Sequence, residues 1–566
     1  MIKRPSRRAA TRCRLPAVLP LVLAVLSTTA VGQTVPNAGS ILQQVQPVAP
    51  PAPSNRGNGL TIEREGSAPL PPSTPFAVRT LRITGNTSFD TAILQTLVAD
   101  AEGKSLTLVQ LGEAVARITD YYQSHGYPLA RAIIPAQAVR DGVVQVQVIE
   151  ARYGKVNLDN RSQTSGSLLQ ATLAPLQSGQ VISQAPMDRA LLLLSDVPGV
   201  SVSATLKPGE AIGTADLLVD AAPGPALTAN AVFDDYGSRY TGRPRLGGTL
   251  TLIGPLHHGD VLSASVVSSG RGMSYGRLLY ETLLNGRGTR LGGSYSALHY
   301  SLGGPLASLN AHGTAALASL WLKHPLLRSA SLSLYGQIQY DQTQLRDHID
   351  ASSLKTDRHV RAWSASLAGD ARDTLLSGGI NTWSLRWTNG RVGFDDASAQ
   401  QADAATAKTE GGYSKWTLSA ARLQRLGPRD GLYLSYLGQW ASTNLDASQK
   451  LIAGGPYSVR AYDVGAISGD TGYLGSAEWR HELGSAWRGQ WQFVAFADSA
   501  HITVNRNAWV SGANSATLSG AGIGLNWTGP ERWSARLYVA TPVGSTPALV
   551  GSTTSARGWV EVSRAF

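Results

Sequence analysis

The feature that most constrains how this chain folds is the stretch of 342 residues after Gly224, in which helical signals are absent. In their place, segments of about ten residues alternate apolar with small polar residues, and Gly, Pro, Asn or Asp separates one segment from the next. The segment 331–340 is typical, because one of its faces is apolar and the other is polar. The apolar face carries Leu332, Leu334, Ile338 and Tyr340, and the polar face carries Ser331, Ser333, Gln337 and Gln339. This alternation predicts strands that face lipid on one side and water on the other.

Sixteen such segments follow one another. They begin near residues 226, 244, 260, 273, 288, 310, 330, 358, 380, 412, 430, 471, 488, 516, 531 and 556. Trp and Tyr recur near the segment ends, as interfacial aromatic girdles require. A soluble propeller or solenoid is the alternative. The even alternation and the final aromatic residue Phe566, which shares a strand face with Val560 and Val562, favour a 16-stranded transmembrane β-barrel over residues 224–566.

The composition argues against an ordinary cytosolic enzyme. Only 15% of the residues are charged, compared with about 25% in soluble domains. Gly accounts for 60 of the 566 residues, which is above the usual share of about 7%. No run of 18 apolar residues follows residue 32, so a closed barrel is the way for this chain to remain in a membrane. The formal charge of +11 does not indicate a nucleic-acid partner, because residues 1–32 supply six basic residues and no acid.

Residues 1–32 have the pattern of an export signal peptide. Basic residues precede an apolar run from Leu15 to Leu26, and Ala30-Val31-Gly32 offers a cleavage site. The apolar run is too short to span a bilayer. The single cysteine, Cys13, lies inside this segment, so the mature chain is expected to contain no disulfide and no cysteine-ligated metal.

The next stretch, residues 33–75, divides into two parts. A short helix is predicted at 40–46, and the sequence leaves open whether it plugs a pore. Residues 47–75 contain eight prolines and are predicted to form an extended linker. A disordered tail is the alternative for the whole stretch.

Two copies of one supersecondary unit come between this linker and the barrel. In residues 76–151 a strand is followed by two helices and two further strands. The second helix begins with a capping box formed by Thr107 and Gln110. The same β-α-α-β-β order recurs over residues 152–223, which predicts a modular arm in front of the barrel.

A βααββ unit whose second helix ends in Tyr122-x-x-x-Gly126-Tyr127 resembles the POTRA domain, a periplasmic module that binds unfolded polypeptide by strand addition. The resemblance implies two periplasmic α+β POTRA domains. The sheet edges that they would offer to a partner lie at Leu129–Pro135 in the first unit and Leu206–Ala211 in the second.

The complete arrangement resembles the TpsB family, the outer-membrane transporters of two-partner secretion, also called haemolysin secretion/activation proteins. Three barrel segments are similar to segments of that family: Asp234–Gly242, Tyr300–Gly303 and His324–Ser329. The resemblance implies a pore that moves an unfolded secreted protein from the periplasm to the cell surface. It also implies that Phe566 belongs to the β-signal by which the barrel-assembly machinery recognises its substrates.

The most diagnostic stretch lies between the eleventh and twelfth predicted strands. Val459-Arg460-Ala461-Tyr462 is similar to the Val-Arg-Gly-Tyr/Phe motif at the tip of a long loop that folds into the lumen in this superfamily, and Gly469-Asp470 follows it. Ala461 stands where Gly is usual, and its Cβ would be strained at a positive φ.

The resemblance also implies a partner for the motif arginine. In the family this arginine meets an acid on the barrel wall within an F-x-D pattern, and Phe496-Ala497-Asp498 fits that pattern. A charge-assisted, bidentate contact between Arg460 and Asp498 would fix a long loop inside a polar lumen. Without the resemblance, Arg460 is an ordinary solvated loop arginine and Asp498 an ordinary lumen acid.

Signals for catalysis, metal binding or cofactor binding are poor. Gly103-Lys104-Ser105 lacks the upstream Gly of a phosphate loop, and the glycines at 520–524 lie inside a strand, where close packing explains them. The 10 His residues form no H-E-x-x-H motif. We therefore predict no enzyme, no metal and no cofactor.

The predicted partners follow from the family resemblance. They are a large secreted exoprotein that binds through its N-terminal secretion domain, outer-membrane lipids, and the barrel-assembly machinery during insertion; nucleic acid is not among them. Three alternatives remain open: an outer-membrane assembly factor of the same superfamily, a passive porin and a barrel-borne enzyme.

Overall fold

The computed structural model of the protein describes four parts of the chain, residues 35–45, 59–63, 71–551 and 553–566. The predicted export signal and most of the predicted linker lie outside them. Helix α1 spans Ala38–Val45, where a helix is predicted at 40–46. Strand β1 spans Leu60–Ile62, inside the predicted linker, where the sequence indicates no strand. In the described residues, no helix is long and apolar enough to cross a bilayer.

The first α+β unit combines a three-stranded sheet, a separate strand pair and two helices. Its elements are β2 (Phe76–Val78), β3 (Thr80–Thr84), α2 (Thr91–Val98), β4 (Lys104–Leu106), α3 (Leu108–Ser124), β5 (Arg131–Ile133) and β6 (Val143–Ile149). The sheet order is β3-β6-β5, with β3 parallel and β5 antiparallel to β6, and β2 pairs with β4. The predicted capping box of Thr107 and Gln110 is present at the start of α3. One face of α3 packs on the sheet through Leu111, Val115, Ile118 and Tyr122.

The second α+β unit repeats this topology. Its elements are β7 (Arg152–Asn160), α4 (Gly166–Leu173), α5 (Gln184–Ser195), β8 (Val200–Pro208) and β9 (Thr214–Pro223). Strand β7 is parallel and β8 antiparallel to β9, as β3 and β5 are to β6. Strand β1 pairs in parallel with the outer edge of β8, so the sheet order is β1-β8-β9-β7.

The rest of the described chain is almost entirely strand. The strands are β10 (Leu227–Asp234), β11 (Arg245–Ile253), β12 (Val261–Ser268), β13 (Met273–Leu283), β14 (Arg290–Ser301), β15 (Ala311–Arg328), β16 (Leu332–Ile349), β17 (Leu354–Asp373), β18 (Gly379–Phe394), β19 (Gly411–Arg425), β20 (Asp430–Ala441), β21 (Leu451–Ala453), β22 (Ile467–Gly469), β23 (Thr471–Ala486), β24 (Gly489–Thr503), β25 (Ser515–Thr528), β26 (Trp533–Pro542) and β27 (Arg557–Ala565). Helix α6 (Ala397–Ala405) lies between β18 and β19. The small strands β21 and β22 pair with each other, and the other sixteen form a closed antiparallel barrel. The predicted 16-stranded barrel is thus confirmed, and each predicted start lies within four residues of an observed one.

The first and last strands of the barrel close it against each other. β27 pairs with β10 from Asp234↔Glu561 to Asn230↔Ala565. Phe566 extends the pairing, because its backbone N–H donates to the carbonyl oxygen of Ala229 at 2.8 Å. Closure leaves no free sheet edge in the wall, which is the requirement for strands in lipid.

The two faces of the wall differ as the alternation predicts. On the outer face Ile338 is 57% exposed, and the ring of Trp363 packs 5.0 Å from that of Tyr340. On the inner face, the Gln337 side chain donates to Gln339 at 2.9 Å, and Gln339 donates to Asp341 at 2.8 Å. The wall therefore encloses a polar lumen.

The second α+β unit is fastened to one end of the barrel. Asp196, just after α5, receives two hydrogen bonds from the buried guanidinium of Arg328, at 2.7 and 2.9 Å. Arg189 on α5 donates to the carbonyl oxygen of Pro325 at 3.0 Å. Both barrel residues belong to the family-like segment His324–Ser329, so this segment holds the arm beneath the lumen.

Glu150 organises the first α+β unit from the end of β6. Its buried carboxylate accepts hydrogen bonds from the backbone N–H groups of Thr87 and Ser88, both at 2.7 Å, from the Thr87 hydroxyl, and from the phenol of Tyr122 at 2.8 Å. Burial acts to raise the pKa of Glu150, but the bonds from Thr87, Ser88 and Tyr122 outweigh burial. The pKa of this carboxyl consequently lies below its ordinary value of 4.5.

We expect Glu150→Gln to destabilise the first unit by about 1–3 kcal/mol, because the amide cannot accept the same set of hydrogen bonds and leaves buried donors unsatisfied. Hydrogen exchange of backbone residues 85–90, measured by mass spectrometry on the full chain, should be faster in the variant at neutral pH.

The pH dependence provides a second readout. The folded pKa of Glu150 is below the unfolded one, so its stabilisation is complete above about pH 4.5 and is lost as the pH falls through the folded pKa. The exchange rates of the wild type and Glu150→Gln should therefore converge at low pH. Equal rates at neutral pH would contradict this role.

Candidate functional site

A long loop, residues 442–470, folds from the outer end of β20 back into the lumen. It carries β21, β22 and a 3-10 turn at Ala447–Gln449. Val459, Ala461 and Tyr462 are each no more than 1% exposed. They pack against the inward side chains of β24, β25 and β26: Val494, Phe496, Ala500, Leu518 and Ala540. The predicted motif therefore lies inside the barrel, against its wall.

Arg460 anchors this loop and is 4% exposed. Its guanidinium contacts Asp498 on β24 through two hydrogen bonds, Nε–Oδ2 at 2.8 Å and Nη2–Oδ1 at 2.7 Å. The Nη1 atom donates to Glu478 on β23 at 2.8 Å, and Nη2 also donates to Ser476 at 3.0 Å. The ring of Phe496 lies 3.4 Å from Cζ of the arginine. Bidentate, planar pairing combined with an aromatic contact is specific to arginine and is not available to lysine.

The charges of this cluster balance. Arg480 takes the second oxygen of Glu478, with hydrogen bonds of 2.9 and 2.6 Å. Two arginines therefore face two carboxylates, Glu478 and Asp498. Removing Arg460 would leave Asp498 buried without a cation, and breaking a buried pair in this way typically costs about 3–5 kcal/mol.

The loop tip is also connected to the strands that close the barrel. The indole N–H of Trp559 on β27 donates to the carbonyl oxygen of Arg460 at 2.7 Å, and Trp559 is 1% exposed. Tyr236, just after β10, packs edge-to-face on Trp559 and on Tyr457, with ring centroids 5.9 and 5.5 Å apart. The position of the loop and the closure of the barrel are thus physically linked.

Ala461 fits the wall without the strain that a positive φ would bring. Its φ is not in the left-handed range. Its side chain instead faces Gly520 on β25, where an added Cβ would lie 2.5 Å from the Cβ of Ala461. The methyl group of Ala461 occupies the space that Gly520, which has no side chain, leaves open.

Gly469 and Asp470 act at the base of the loop, away from Arg460. Asp470 is fully buried and accepts hydrogen bonds from Lys450 Nζ at 2.6 Å and from the backbone N–H of Arg506 at 2.7 Å. A Cβ at Gly469 would collide with the carbonyl oxygen of Thr503. These two residues hold the outer end of the loop.

Helix α1 lies in the lumen on the other side of the loop. Its first N–H group, from Ala38, donates to Asp347 on β16 at 2.7 Å. The buried Arg358 on β17 bridges Asp347 and Asp446 of the loop, with hydrogen bonds of 2.7 and 2.6 Å. One arginine therefore connects the wall, the loop and the carboxylate that caps the helix.

Both apolar and polar contacts hold α1 in the lumen. Ile41 and Leu42 are buried in a cluster with Tyr300, Leu345 and Tyr413 of the wall. The side chain of Gln43 donates to the carbonyl oxygen of Ser448 in the loop. The helix is thus wedged between the wall and the base of the long loop.

The structure brings together six of the residues singled out from the sequence: Val459, Arg460, Ala461, Tyr462, Phe496 and Asp498. Gly469 and Asp470 lie at the loop base, and Phe566 directly follows β27, next to the barrel seam at the end nearer the second unit. Sequence reasoning missed further residues of the site: Ser476, Glu478, Trp559, Asp347, Arg358 and Asp446. It predicted close packing at Gly520 but not the contact with Ala461. Glu478 and Ser476 precede the F-x-D strand on its neighbour and share its inward face, which is the signal that could have identified them.

The chemistry of the site is structural and electrostatic. Within the part of the chain that the structure describes, no group of three or more His, Cys, Asp or Glu side chains is arranged to hold a metal ion. The buried carboxylates around the lumen loop are instead engaged by arginine, lysine or backbone N–H groups.

Comparison with known proteins identifies relatives of this chain. The sequence model of the haemolysin secretion/activation protein ShlB/FhaC/HecB family matches residues 213–527, and that of the ShlB-type POTRA domain matches residues 76–151. The heme/hemopexin transporter protein HuxB of Haemophilus influenzae is 25% identical over 529 residues, which cover 92% of this chain and 93% of HuxB. The outer membrane transporter CdiB of Dickeya dadantii is 24% identical over 511 residues, 86% of each chain. The structure of CdiB from Escherichia coli superposes with a TM-score of 0.69 at 21% identity, covering 89% of this chain and 93% of that one.

The barrel, its inward loop and the POTRA domain define an outer-membrane transporter with a periplasmic arm. The chain belongs to the haemolysin secretion/activation protein family, the TpsB transporters of two-partner secretion, because the family match covers more than half of its length. The predicted resemblance is confirmed. The barrel lies in the outer membrane and the POTRA domain lies in the periplasm.

We expect Gly520→Ala to loosen the lumen loop by about 1–3 kcal/mol, because the added methyl group overpacks against Ala461. Trypsin cleavage after Arg460 in detergent-solubilised protein reports this loosening, since that peptide bond is buried in the docked loop. Cleavage should be faster in the variant.

A second substitution identifies the cause. Adding Ala461→Gly to Gly520→Ala should restore slow cleavage, because the two methyl groups no longer compete for one space. Gly276→Ala is the matched control, since a Cβ at Gly276 meets no atom within 4 Å. A double variant that is cleaved as fast as Gly520→Ala would exclude this contact as the cause.

Proposed function

We propose that this chain exports one large, unfolded partner protein from the periplasm to the cell surface, as the pore component of a two-partner secretion pair. The observation that carries the proposal is the clamp between Arg460 and Asp498, which holds a long loop in the lumen of a barrel of this family. A pore for small solutes has no need of such a loop or of an arm of two α+β units.

The partner that we propose is an exoprotein of the adhesin or haemolysin type, which enters through its N-terminal secretion domain. The family match supports a protein substrate of this kind, since its model describes haemolysin secretion/activation proteins. A gene for a large exported β-helical protein next to the gene for this chain would encode the first partner to test.

We assign the described arrangement to a closed pore. Helix α1 and the loop at 442–470 both lie in the lumen, so an extended polypeptide cannot pass until at least α1 moves aside. Departure of α1 leaves the barrel intact, because α1 is only eight residues long and the barrel wall keeps all of its own backbone pairing. The contacts that oppose the movement are the hydrogen bond from Ala38 to Asp347, the hydrogen bond from Gln43 to Ser448, and the apolar packing of the helix on the wall.

The arm recruits the partner in this proposal, and the second α+β unit acts as a further POTRA domain because it shares the topology of the first. Neither predicted sheet edge is fully open. On β5 the N–H of Ala132 already donates to the hydroxyl of Thr119 at 3.0 Å, and β8 carries β1. The partner therefore meets edges that are partly occupied by the protein itself.

Folding of the partner at the cell surface is the source of free energy that we propose for transport. Each segment that folds outside cannot slide back through a lumen that admits only extended chain. Nucleotide hydrolysis is not part of this scheme.

The assembly-factor and porin alternatives are less well supported. The family match assigns the barrel to secretion proteins, and the sequence of the lumen loop agrees with that match. An assembly factor would alter the levels of many outer-membrane proteins, whereas a secretion pore would affect a single exoprotein.

We expect Arg460→Ala to reduce export of the adjacent exoprotein at least tenfold, because the loop loses its anchor on Asp498 and Glu478. The measurement is the amount of exoprotein at the surface and in the medium of a deletion strain complemented with each variant. Arg460→Lys should restore export only in part, since lysine keeps the charge but not the bidentate geometry.

Arg422→Ala is the matched control. It removes another bidentate arginine–aspartate pair of the wall, with Asp373 at 2.6 and 2.9 Å, at the opposite end of the barrel from the loop base. Export should be normal, and the barrel should reach the outer membrane in all variants. Normal export by Arg460→Ala would overturn the role of the clamp, and unchanged export with defective outer-membrane assembly would favour the assembly factor.

A further inference from the structure

Two arginines lie side by side on the outer face of the barrel wall. Arg361 on β17 and Arg391 on β18 are directly paired in the strand register, so their side chains share one face of the sheet. Trp363, two residues along β17 from Arg361, is 58% exposed and identifies that face as the outer one. Both arginines are exposed as well. Like charges directly opposite each other destabilise a sheet, so this pair calls for a compensating anion.

The wall supplies such a compensating charge elsewhere on its outer face. Near the other end of the same strand, Asp373 receives two hydrogen bonds from Arg422 on β19, at 2.6 and 2.9 Å. In the part of the chain that the structure describes, neither Arg361 nor Arg391 forms an ion pair of this kind.

The acidic residues nearest to the two arginines are engaged by other groups. Asp357 on β17 contacts Lys355 at 3.4 Å. Asp395, just after β18, contacts His359 at 2.8 Å and accepts a hydrogen bond from Gln344 at 2.7 Å. The protein itself therefore leaves the positive charge of the paired arginines uncompensated.

The outer face of β17 shows where the bilayer meets these arginines. Along this face an uncharged band of nine residues extends from Trp363 to Ala371, with Arg361 beyond one end and Asp373 beyond the other. A membrane strand spans the bilayer with about 9–11 residues. Asp373 lies at the end of the wall that holds the second α+β unit, because β17 pairs there with the start of β16, just after Arg328. Arg361 therefore lies at the cell-surface edge of the bilayer. The outward-facing residues of the band are Trp363, Ala365, Leu367, Gly369 and Ala371.

Aromatic side chains lie directly beneath the arginines. The ring of Trp363 packs 5.0 Å from that of Tyr340, and Trp387 is exposed on β18. Such rings lie at the level of the lipid headgroups. Arg361 is two residues beyond Trp363 and Arg391 is four residues beyond Trp387. These separations correspond to about 7 and about 13 Å along strands that rise about 3.3 Å per residue. The guanidinium groups consequently reach the layer that contains the lipid phosphates.

A phosphate group between the two arginines removes their repulsion. The Cβ atoms of directly opposed residues are about 4.5–5.5 Å apart, so both guanidinium groups can donate to one anion through paired N–H groups. Gln342 on β16 is exposed and is paired with Arg361 on its other side, so its amide is a further donor. Gly412 on β19 is paired with Arg391 and has no side chain to cover it. The row is thus open to a ligand from the bilayer.

We propose that Arg361, Arg391 and Gln342 form a binding site for the phosphate groups of a phosphorylated glycolipid of the lipid A type. This lipid occupies the outer leaflet of a bacterial outer membrane, which is the leaflet that the site faces. Its two phosphates lie directly above its acyl chains, and the arginines lie directly above the uncharged band of the wall. The site is on the outside of the barrel and is independent of the lumen and of the proposed export function.

Native mass spectrometry of the purified protein with added diphosphoryl lipid A tests this site. We expect Arg361→Gln/Arg391→Gln to bind the lipid at least tenfold more weakly than the wild type, because both phosphate-binding cations are lost. Arg361→Lys/Arg391→Lys should give an intermediate affinity, since lysine keeps the charge but not the paired donors. Heat-modifiable migration on gels shows whether the barrel of each variant is folded.

Arg425→Gln/Arg429→Gln is the matched control. It removes the same charge from two exposed arginines at the turn between β19 and β20, at the periplasmic end of the wall. This control should bind lipid A as the wild type does, and phosphatidylglycerol should bind all variants alike. Equal binding of lipid A by the wild type and Arg361→Gln/Arg391→Gln, or an equal loss in the control, would overturn the proposal. An equally large loss of phosphatidylglycerol binding would assign the site to phospholipids and would also overturn it.

The unfolding temperature of the wild type provides a readout that requires no variant. Diphosphoryl lipid A should raise this temperature, since a ligand that binds only the folded protein stabilises it. Lipid A from which both phosphates have been removed should raise it less. An equal rise with the two lipids would contradict recognition of the phosphates.

Discussion

The pairing of Arg460 with Asp498 and Glu478 is the interaction on which the rest of this lumen depends. Apolar packing of Val459 and Tyr462 also holds the loop tip, but the ion pairs of Arg460 fix its position on the wall. The buried guanidinium satisfies both carboxylates and lies on the ring of Phe496, so the loop has one position and not many. Through Trp559 the same residue is joined to the strands that close the wall.

A second arginine, Arg358, connects the wall, the loop and the residue that caps α1. Arg358 is held by Asp347, which caps α1, and by Asp446, which belongs to the loop. The loop is consequently fixed to the wall at Arg460 and in contact with the helix near Asp446. In the proposed function, this division lets the helix leave while the loop tip remains docked, and the barrel keeps its own pairing.

Local patterns in the sequence predict much of this architecture. Strand positions follow from alternation with a period of two and from the Gly and Asn residues between segments, and the predicted starts agree with the barrel to within four residues. The contact between Arg460 and Asp498 could be expected from the family resemblance, because each residue belongs to a recognisable motif. The fit of Ala461 to Gly520 could not be predicted, since an alternation pattern indicates which face of a strand a residue occupies but not which distant strand it contacts.

Two features of the structure, the bridge formed by Arg358 and the strand β1, could not be predicted from the sequence. Arg358 has no motif around it, and its partners Asp347 and Asp446 come from separate elements that only the closed barrel brings together. Strand β1 has three residues in a proline-rich stretch, where no periodicity can develop. Its pairing depends on the free edge of β8, which is a property of the folded unit and not of the segment.

The measurement that most directly tests whether this chain is itself the exporter uses vesicles that contain only the purified protein, with its periplasmic arm outward. Unfolded exoprotein is added outside without nucleotide, and protease then removes whatever has not entered. We expect full-length, protected exoprotein inside vesicles with wild-type protein and none with Arg460→Ala. Protection that requires ATP, or none in vesicles whose barrels are correctly folded, would contradict it.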